Sequence, residues 1–382
     1  MNKEERIKVL QDIIQIPSEN DHEEEVAKYI ADLLQEHGID SQLVEYAPGR
    51  SSLVAEIKGQ EEGKVLVYSG HLDVVAAGDH EEWSHDPFGA EIVDGKMFGR
   101  GTTDMKSGLA AIVIALIELK EANADLKGTL RLALTVGEEI GMLGSEQLVD
   151  EGYLDDADAF LIAEPSGNEA IINAHKGSIQ YEVIAHGESA HSSMPEEGID
   201  AIQLLVDYIN IMNDKFDQAF NTDEAYNDQL GRSLNVNTVI EAGTQINSVA
   251  SKAVMKANTR VVPEAGNDLV VKMMQDTMDE LNEQNDGRLE LNLLQNNPAA
   301  ESSPDNALVK AIQASADWEV GTQTLAGATD ASNFGRISDD YDLAVFGPGE
   351  TSRAHKLDEY VEVADYLKFI DLYIETAKTY LA

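Results

Sequence analysis

The chain has 382 residues, enough to bury the cores of two domains, and carries 71 acidic residues against 27 Lys plus Arg for a formal net charge of −44. A surface this anionic repels nucleic acid and anionic membranes, which makes binding modules of those kinds poor candidates. The absence of cysteine excludes disulfides, thiolate catalysis and Cys-ligated zinc or iron–sulfur sites, so any metal must sit on His, Asp and Glu.

The opening MNKEERIKVLQDII reads as a charged amphipathic helix rather than a signal peptide, and no apolar run is long enough to span a bilayer. The expectation is a soluble, cytoplasmic protein. Apolar spacings of three and four predict helices over 3–15 and 21–36, the second capped by Asp21 with Glu24. SSLVAEIKG (51–59) and KVLVYSG (64–70) read as strands joined by a turn. A long polar loop follows over 73–104, its length pointing to function. Then come a strongly apolar helix (106–119), a buried strand (129–137), a short helix in EQLVDEG and a further strand, AFLIAEP (159–165).

Strands rich in Val, Leu, Ile and Ala alternating with helices predict an α/β sheet covered on both faces. The character changes after HKG at 175–177. Six segments between there and about residue 295 run in the order β-α-β-β-α-β, which predicts a one-sided, four-stranded α+β domain inserted into the first. From Asp305 the α/β style returns: a helix near 305–317, then DLAVFGPG, then a final helix from about 359. The expected domains are therefore 1–176 and 297–382 for the α/β part and 177–296 for the insertion.

Polar residues recur where these strands end. His71 and Asp73 close KVLVYSG and leave one face of extended chain. Glu138 and Glu139 follow TLRLALTVG, Glu164 ends AFLIA, and Asp104 precedes the 106–119 helix. Each has an ordinary reading alone, as a solvated turn, a strand end or a helix cap. Together they occupy the carboxyl ends of strands, where open α/β sheets bind ligands. So many carboxylates in one crevice repel one another unless cations or protons intervene.

Two divalent ions about 3.5–4 Å apart solve that problem and can clamp a hydrolytic reaction. Asp104 is the expected bridge. His71 and Glu164 complete one ion, and Glu139 with His355, from PGETSRAHKLDEY, completes the other. The donors suit zinc, cobalt or manganese. Asp73 is assigned to the far nitrogen of His71, and Glu138 to proton transfer between water and a departing amine.

The same stretches resemble the M20 metallopeptidase and deacylase family. They are GHLDVV with Trp83 and DPF (86–88), GRGTTDMKSG (99–108), GEEIGMLGS (137–145), AEP (163–165), AHSSMPEEGIDA (190–201) and PGETSRAHKLDEY. The resemblance runs through nearly the whole chain and implies the same ligand set, the same general acid/base and an inserted lid and dimerisation domain. It further implies that His191 reaches into the neighbouring subunit's site to bond the oxyanion, that Arg260 grips the substrate carboxylate and that Asn247 bonds the substrate. Lys176 stands where desuccinylases carry arginine, which keeps a positive charge and gives up the two-pronged grip. The expected activity is hydrolysis of the amide bond of an N-acyl amino acid by a homodimer. Desuccinylation is the first reading; deacetylation, small-peptide cleavage and a catalytically inactive binding protein are alternatives.

Overall fold

The computed structural model describes residues 1–338 and 340–382. The chain divides into two compact units, one formed by Met1–Asn173, Glu301–Gln323 and Thr329–Ala382, the other by Ala174–Ala300 and Thr324–Ala328.

The first unit is built on a mixed sheet in which Ser41–Ala47, Arg50–Lys58, Lys127–Thr135, Glu61–His71, Ala159–Pro165 and Asp342–Gly347 lie side by side in that order. The first two pairings are antiparallel, and the last four strands run parallel. Every residue of Ala159–Pro165 is buried, as expected of a parallel strand covered on both faces. The helix Lys106–Glu121 is apolar all round because it is enclosed: Leu109 through Ile117 are each fully buried among the helices Lys3–Ile14 and Val363–Tyr380 and the sheet. Gly108 lets this helix approach the strand Ala159–Pro165, since a Cβ there would stand 1.9 Å from the Ala163 carbonyl oxygen.

The second unit is antiparallel, with strand order Leu234–Ala242, Lys252–Val261, Gly177–His186, Arg288–Asn297. Ile179, Tyr181, Val183 and Ala185 alternate along Gly177–His186 and bury one face of the sheet against the helices Ala201–Phe220 and Asn267–Gln284. The chain order of these elements is the β-α-β-β-α-β order read from the sequence.

Two local expectations differ. The second helix begins at Glu24 rather than Asp21. Asp21 does not cap it, because its carboxylate pairs with Arg50 Nη1 at 2.6 Å while buried Glu23 takes Nε and Nη2 of the same guanidinium. The 73–104 loop is also partly ordered by pairing. Glu91–Val93 and Lys96–Phe98 form a hairpin that Tyr360–Glu362 extends, so the last helix starts at Val363.

Candidate metal centre

Four parallel strands deliver the site. In register, His71 lies beside Thr135 and Pro165 beside Gly347. The segments leaving these strand ends carry Asp73, the Glu138–Glu139 pair and His355, while Glu164 is the penultimate residue of its strand. Asp104 enters from the side, two residues before the helix Lys106–Glu121.

Asp104 divides its carboxylate between two histidines. Oδ1 is 3.2 Å from His71 Nε2 and Oδ2 is 3.3 Å from His355 Nε2. Glu164 Oε1 stands 3.4 Å from the same His71 nitrogen, and Glu139 Oε1 stands 2.8 Å from that of His355. Donor atoms of His71, Asp104 and Glu139 lie within 4.8 Å of one another, as do those of His71, Glu138 and Glu164. The two groups share His71 and so describe one continuous cluster.

The second nitrogen of His71 meets the backbone carbonyl of Asp73 at 2.8 Å, while the Asp73 carboxylate is farther off, at 3.7 Å. This corrects the sequence reading of Asp73. Its carboxylate accepts the backbone N–H groups of Glu138 and Glu139, both at 3.2 Å, and so sets the turn that carries them. The carbonyl takes over the task of holding the ring. With Nδ1–H donated to that carbonyl, a neutral His71 turns its Nε2 lone pair toward two carboxylate oxygens. Only a cation between them, proton or metal ion, makes that arrangement favourable.

The electrostatics carry the same strain. Burial would lower the His71 pKa, but Glu164, Asp104, Asp73 and Glu138 together hold it well above the usual imidazole value. Burial pushes Glu138 and Glu164 well above the ordinary carboxylate range, and neighbouring carboxylates add to it, Glu164 and Glu139 acting on Glu138 and Asp104 and Glu139 on Glu164. Burial also lifts Asp73 to about 6. Asp104 goes the other way: despite burial, its bonds to His355 and His71 hold it below the ordinary range. Donation of hydrogen bonds from its ring to Asp104 and Glu139 raises His355 to about 10.

The donors fit a pair of divalent ions. All are imidazole nitrogen or carboxylate oxygen, the set preferred by zinc and its neighbours. Metal–ligand bonds of about 2.0–2.1 Å in tetrahedral array place donor atoms about 3.3 Å apart. The Asp104 contacts at 3.2 and 3.3 Å and the Glu164 contact at 3.4 Å have that spacing before any ion is added.

A supporting layer escaped the sequence reading. Asp330, 1% exposed, accepts the hydroxyls of Ser145 and Thr135, each at 2.6 Å, and Asn333 donates to Met142 O and Ser145 Oγ. These bonds tie the 137–145 segment to the sheet. Nothing in the pattern of GATDASNF (327–334) reveals which hydroxyls its aspartate would meet.

The remaining expected site residues lie in the second unit. His191 is exposed, and its Nδ1 accepts the backbone N–H of Ser193 at 3.2 Å, leaving the proton of a neutral ring on Nε2. Asn247 is on the segment paired with it, its carbonyl accepting Ser192 N–H at 3.1 Å. Arg260, on Lys252–Val261, is partly buried and has neither a hydrogen bond nor an ion pair through its guanidinium among the described residues. Lys176 makes a contact within its own unit. Its ammonium donates to the Arg232 carbonyl at 2.6 Å.

Histidine and carboxylate donors gathered at the ends of parallel strands define a metallopeptidase architecture. The chain belongs to peptidase family M20/M25/M40, which it matches over residues 67–379. It is a hydrolase of amide bonds. It is 40% identical, over 100% of its own length and 99% of the other, to a Staphylococcus epidermidis protein described as "Probable succinyl-diaminopimelate desuccinylase". Among solved structures, an M20 family metallo-carboxypeptidase from Sulfolobus solfataricus shares the fold at a TM-score of 0.81 and 20% identity, covering 100% of this chain and 99% of that one. A dinuclear metal-binding M20 peptidase from Bacillus subtilis shares it at a TM-score of 0.72 and 18% identity, covering 99% and 98%. No helix among the described residues is long and apolar enough to cross a membrane.

Proposed function

We propose that this chain is a succinyl-diaminopimelate desuccinylase, hydrolysing the amide between a succinyl group and the amino acid with two divalent ions, zinc by preference, as cofactors. The observation that carries the reaction is the split carboxylate of Asp104, each oxygen facing a different histidine. The substrate assignment rests on the full-length similarity to the staphylococcal protein so described.

In this reading His71, Asp104 and Glu164 hold one ion, and Asp104, Glu139 and His355 hold the other. When bound, the pair supplies Lewis acidity to the acyl carbonyl and lowers the pKa of the attacking water. Glu138 takes the proton of that water and returns it to the departing amine. Burial and the neighbouring carboxylates already raise its pKa, the direction a carboxylate needs to act as both base and acid. Asp73 keeps Glu138 and Glu139 diverging by fixing their two N–H groups.

The second unit is the lid and dimerisation module. Arg260, unpaired among the described residues of so acidic a chain, takes a substrate carboxylate through both guanidinium edges. Asn247 bonds the substrate as well. His191 of a second copy donates Nε2–H to the oxyanion. Dimerisation is supported by the edge strand Leu234–Ala242, which leaves Leu234, Val236 and Ile240 at 53%, 54% and 59% exposure. In this reading the enzyme acts in the cytoplasm.

The test is a comparison of kcat/KM, with zinc or cobalt supplied, on N-succinyl-diaminopimelate, N-acetylornithine, N-acetylmethionine and a simple dipeptide. The succinyl substrate should lead by at least tenfold. A lead for the acetylated compounds or the dipeptide replaces the substrate assignment and leaves the chemistry in place.

A further inference from the structure

Glu359 lies four residues past His355, at 1% exposure, and each of its carboxylate oxygens has a distinct task. Oε1 accepts two consecutive backbone N–H groups, those of Thr103 at 2.8 Å and Asp104 at 3.0 Å. Oε2 accepts Arg100 Nη1 at 2.6 Å. The same guanidinium donates to the Lys356 carbonyl at 3.2 Å and lies over the Trp83 ring. Two further bonds seam these strands of chain together: Gly99 N–H to Glu359 O at 2.9 Å, and Thr103 Oγ1 to Tyr360 O at 2.7 Å.

The segment carrying His355 and the segment carrying Asp104 are thus joined, and the Glu359 side chain is the link that reaches the Asp104 backbone. The N–H of Asp104 precedes the first hydrogen-bonded turn of its helix and has no carbonyl of its own to use. Glu359 supplies the acceptor, at the residue whose carboxylate has to face two histidines at once. We infer that Glu359, backed by Arg100, is the positioning residue that holds Asp104 between His71 and His355. The inference rests on the dinuclear reading above and adds to it the group that sets the spacing between the two halves of the site. A buried Arg–Glu pair that served stability alone could be replaced without consequence for metal binding. This one bonds directly to the backbone of the shared ligand, and partners of that kind govern affinity by about 10–100-fold.

Glu359→Gln tests it through a conflict of donors. Glutamine has one acceptor oxygen. If that oxygen faces Thr103 and Asp104, the amide NH2 faces Arg100; if it faces Arg100, the NH2 faces two N–H groups. Adding Arg100→Gln resolves the conflict, because the amide oxygen of Gln at 100 can accept from the NH2 at 359 while the bonds to Thr103 and Asp104 persist. The measurement is titration of metal-free protein with Co2+, followed by its visible absorption, together with thermal unfolding of the metal-free forms.

Wild type should take up two ions. E359Q should bind them about 10–100-fold more weakly, and the R100Q/E359Q double variant should recover most of the loss, whether or not E359Q alone folds well. Wild-type affinity in a folded E359Q overturns the inference while leaving the metal reading intact, as does a double variant that folds like wild type but binds no better than E359Q. Fewer than two ions on the wild type overturns both.

Discussion

Oδ2 of Asp104 and Nε2 of His355 stand 3.3 Å apart, while Oδ1 of the same carboxylate serves His71 at 3.2 Å. One short side chain at a helix start therefore spans two donor groups that the chain contributes from four separate strand ends. The chemistry proposed for the site, and what should happen when it is disturbed, follow from that division.

Glu138→Gln removes a proton carrier and keeps nearly the same volume. Rate constants for succinyl hydrolysis should fall by about 10²–10⁴, with two ions still bound per chain by elemental analysis. A fall in metal content matching the fall in rate would make Glu138 a ligand rather than the base.

The metal-free protein should lose stability as pH rises. His71, Glu138 and Glu164 all have folded pKa values raised above their unfolded ones, and His355 is raised to about 10. Groups shifted in that sense contribute fully below their unfolded values and lose the contribution as pH climbs through the folded ones. Asp104, shifted down, opposes this only in acid. After chelation the melting temperature should fall, on the order of 5 °C, between pH 6 and 9.5. Saturating zinc should flatten the profile. Equal slopes with and without metal would show that the cluster does not carry the charge strain described.

Much of this was legible in the sequence, because strand ends in a parallel sheet converge whatever loops intervene. KVLVYSG, TLRLALTVG, AFLIA and DLAVFG are each apolar enough to be buried strands, so the polar residues following them had to meet. Side-chain partners were less legible. Asp73 lies two residues from His71, and spacing alone cannot tell that its carbonyl reaches the ring while its carboxylate reaches across to Glu138 N–H and Glu139 N–H. Lys176 and Asp21 illustrate the same limit: each met a partner, the Arg232 carbonyl and Arg50, from a stretch that no local pattern links to it. The strand Ser41–Ala47 escaped notice because, at the sheet's edge, only Val44 is buried and its alternation is weak.

Gly108→Ala should couple the fold to the site. The added methyl, 1.9 Å from the Ala163 carbonyl oxygen, must push the helix that follows Asp104 away from the strand that carries Glu164. We expect a loss of about 1–3 kcal/mol in denaturant unfolding and weaker zinc binding in parallel. Loss of stability with unchanged zinc affinity would show that the site tolerates movement of this helix.

Arg260→Lys keeps the charge and removes the planar fork. KM for the succinyl substrate should rise by about 10–100-fold with a smaller change in kcat, measured by initial rates. An unchanged KM would remove Arg260 from substrate binding.

The central claim is that Asp104 is shared by two ions, and anomalous diffraction from crystals of the zinc-loaded protein tests it most directly. Two peaks about 3.5–4 Å apart should flank the Asp104 carboxylate, one beside His71 and Glu164, the other beside His355 and Glu139. A single peak, or a second one beyond reach of Asp104, would contradict it.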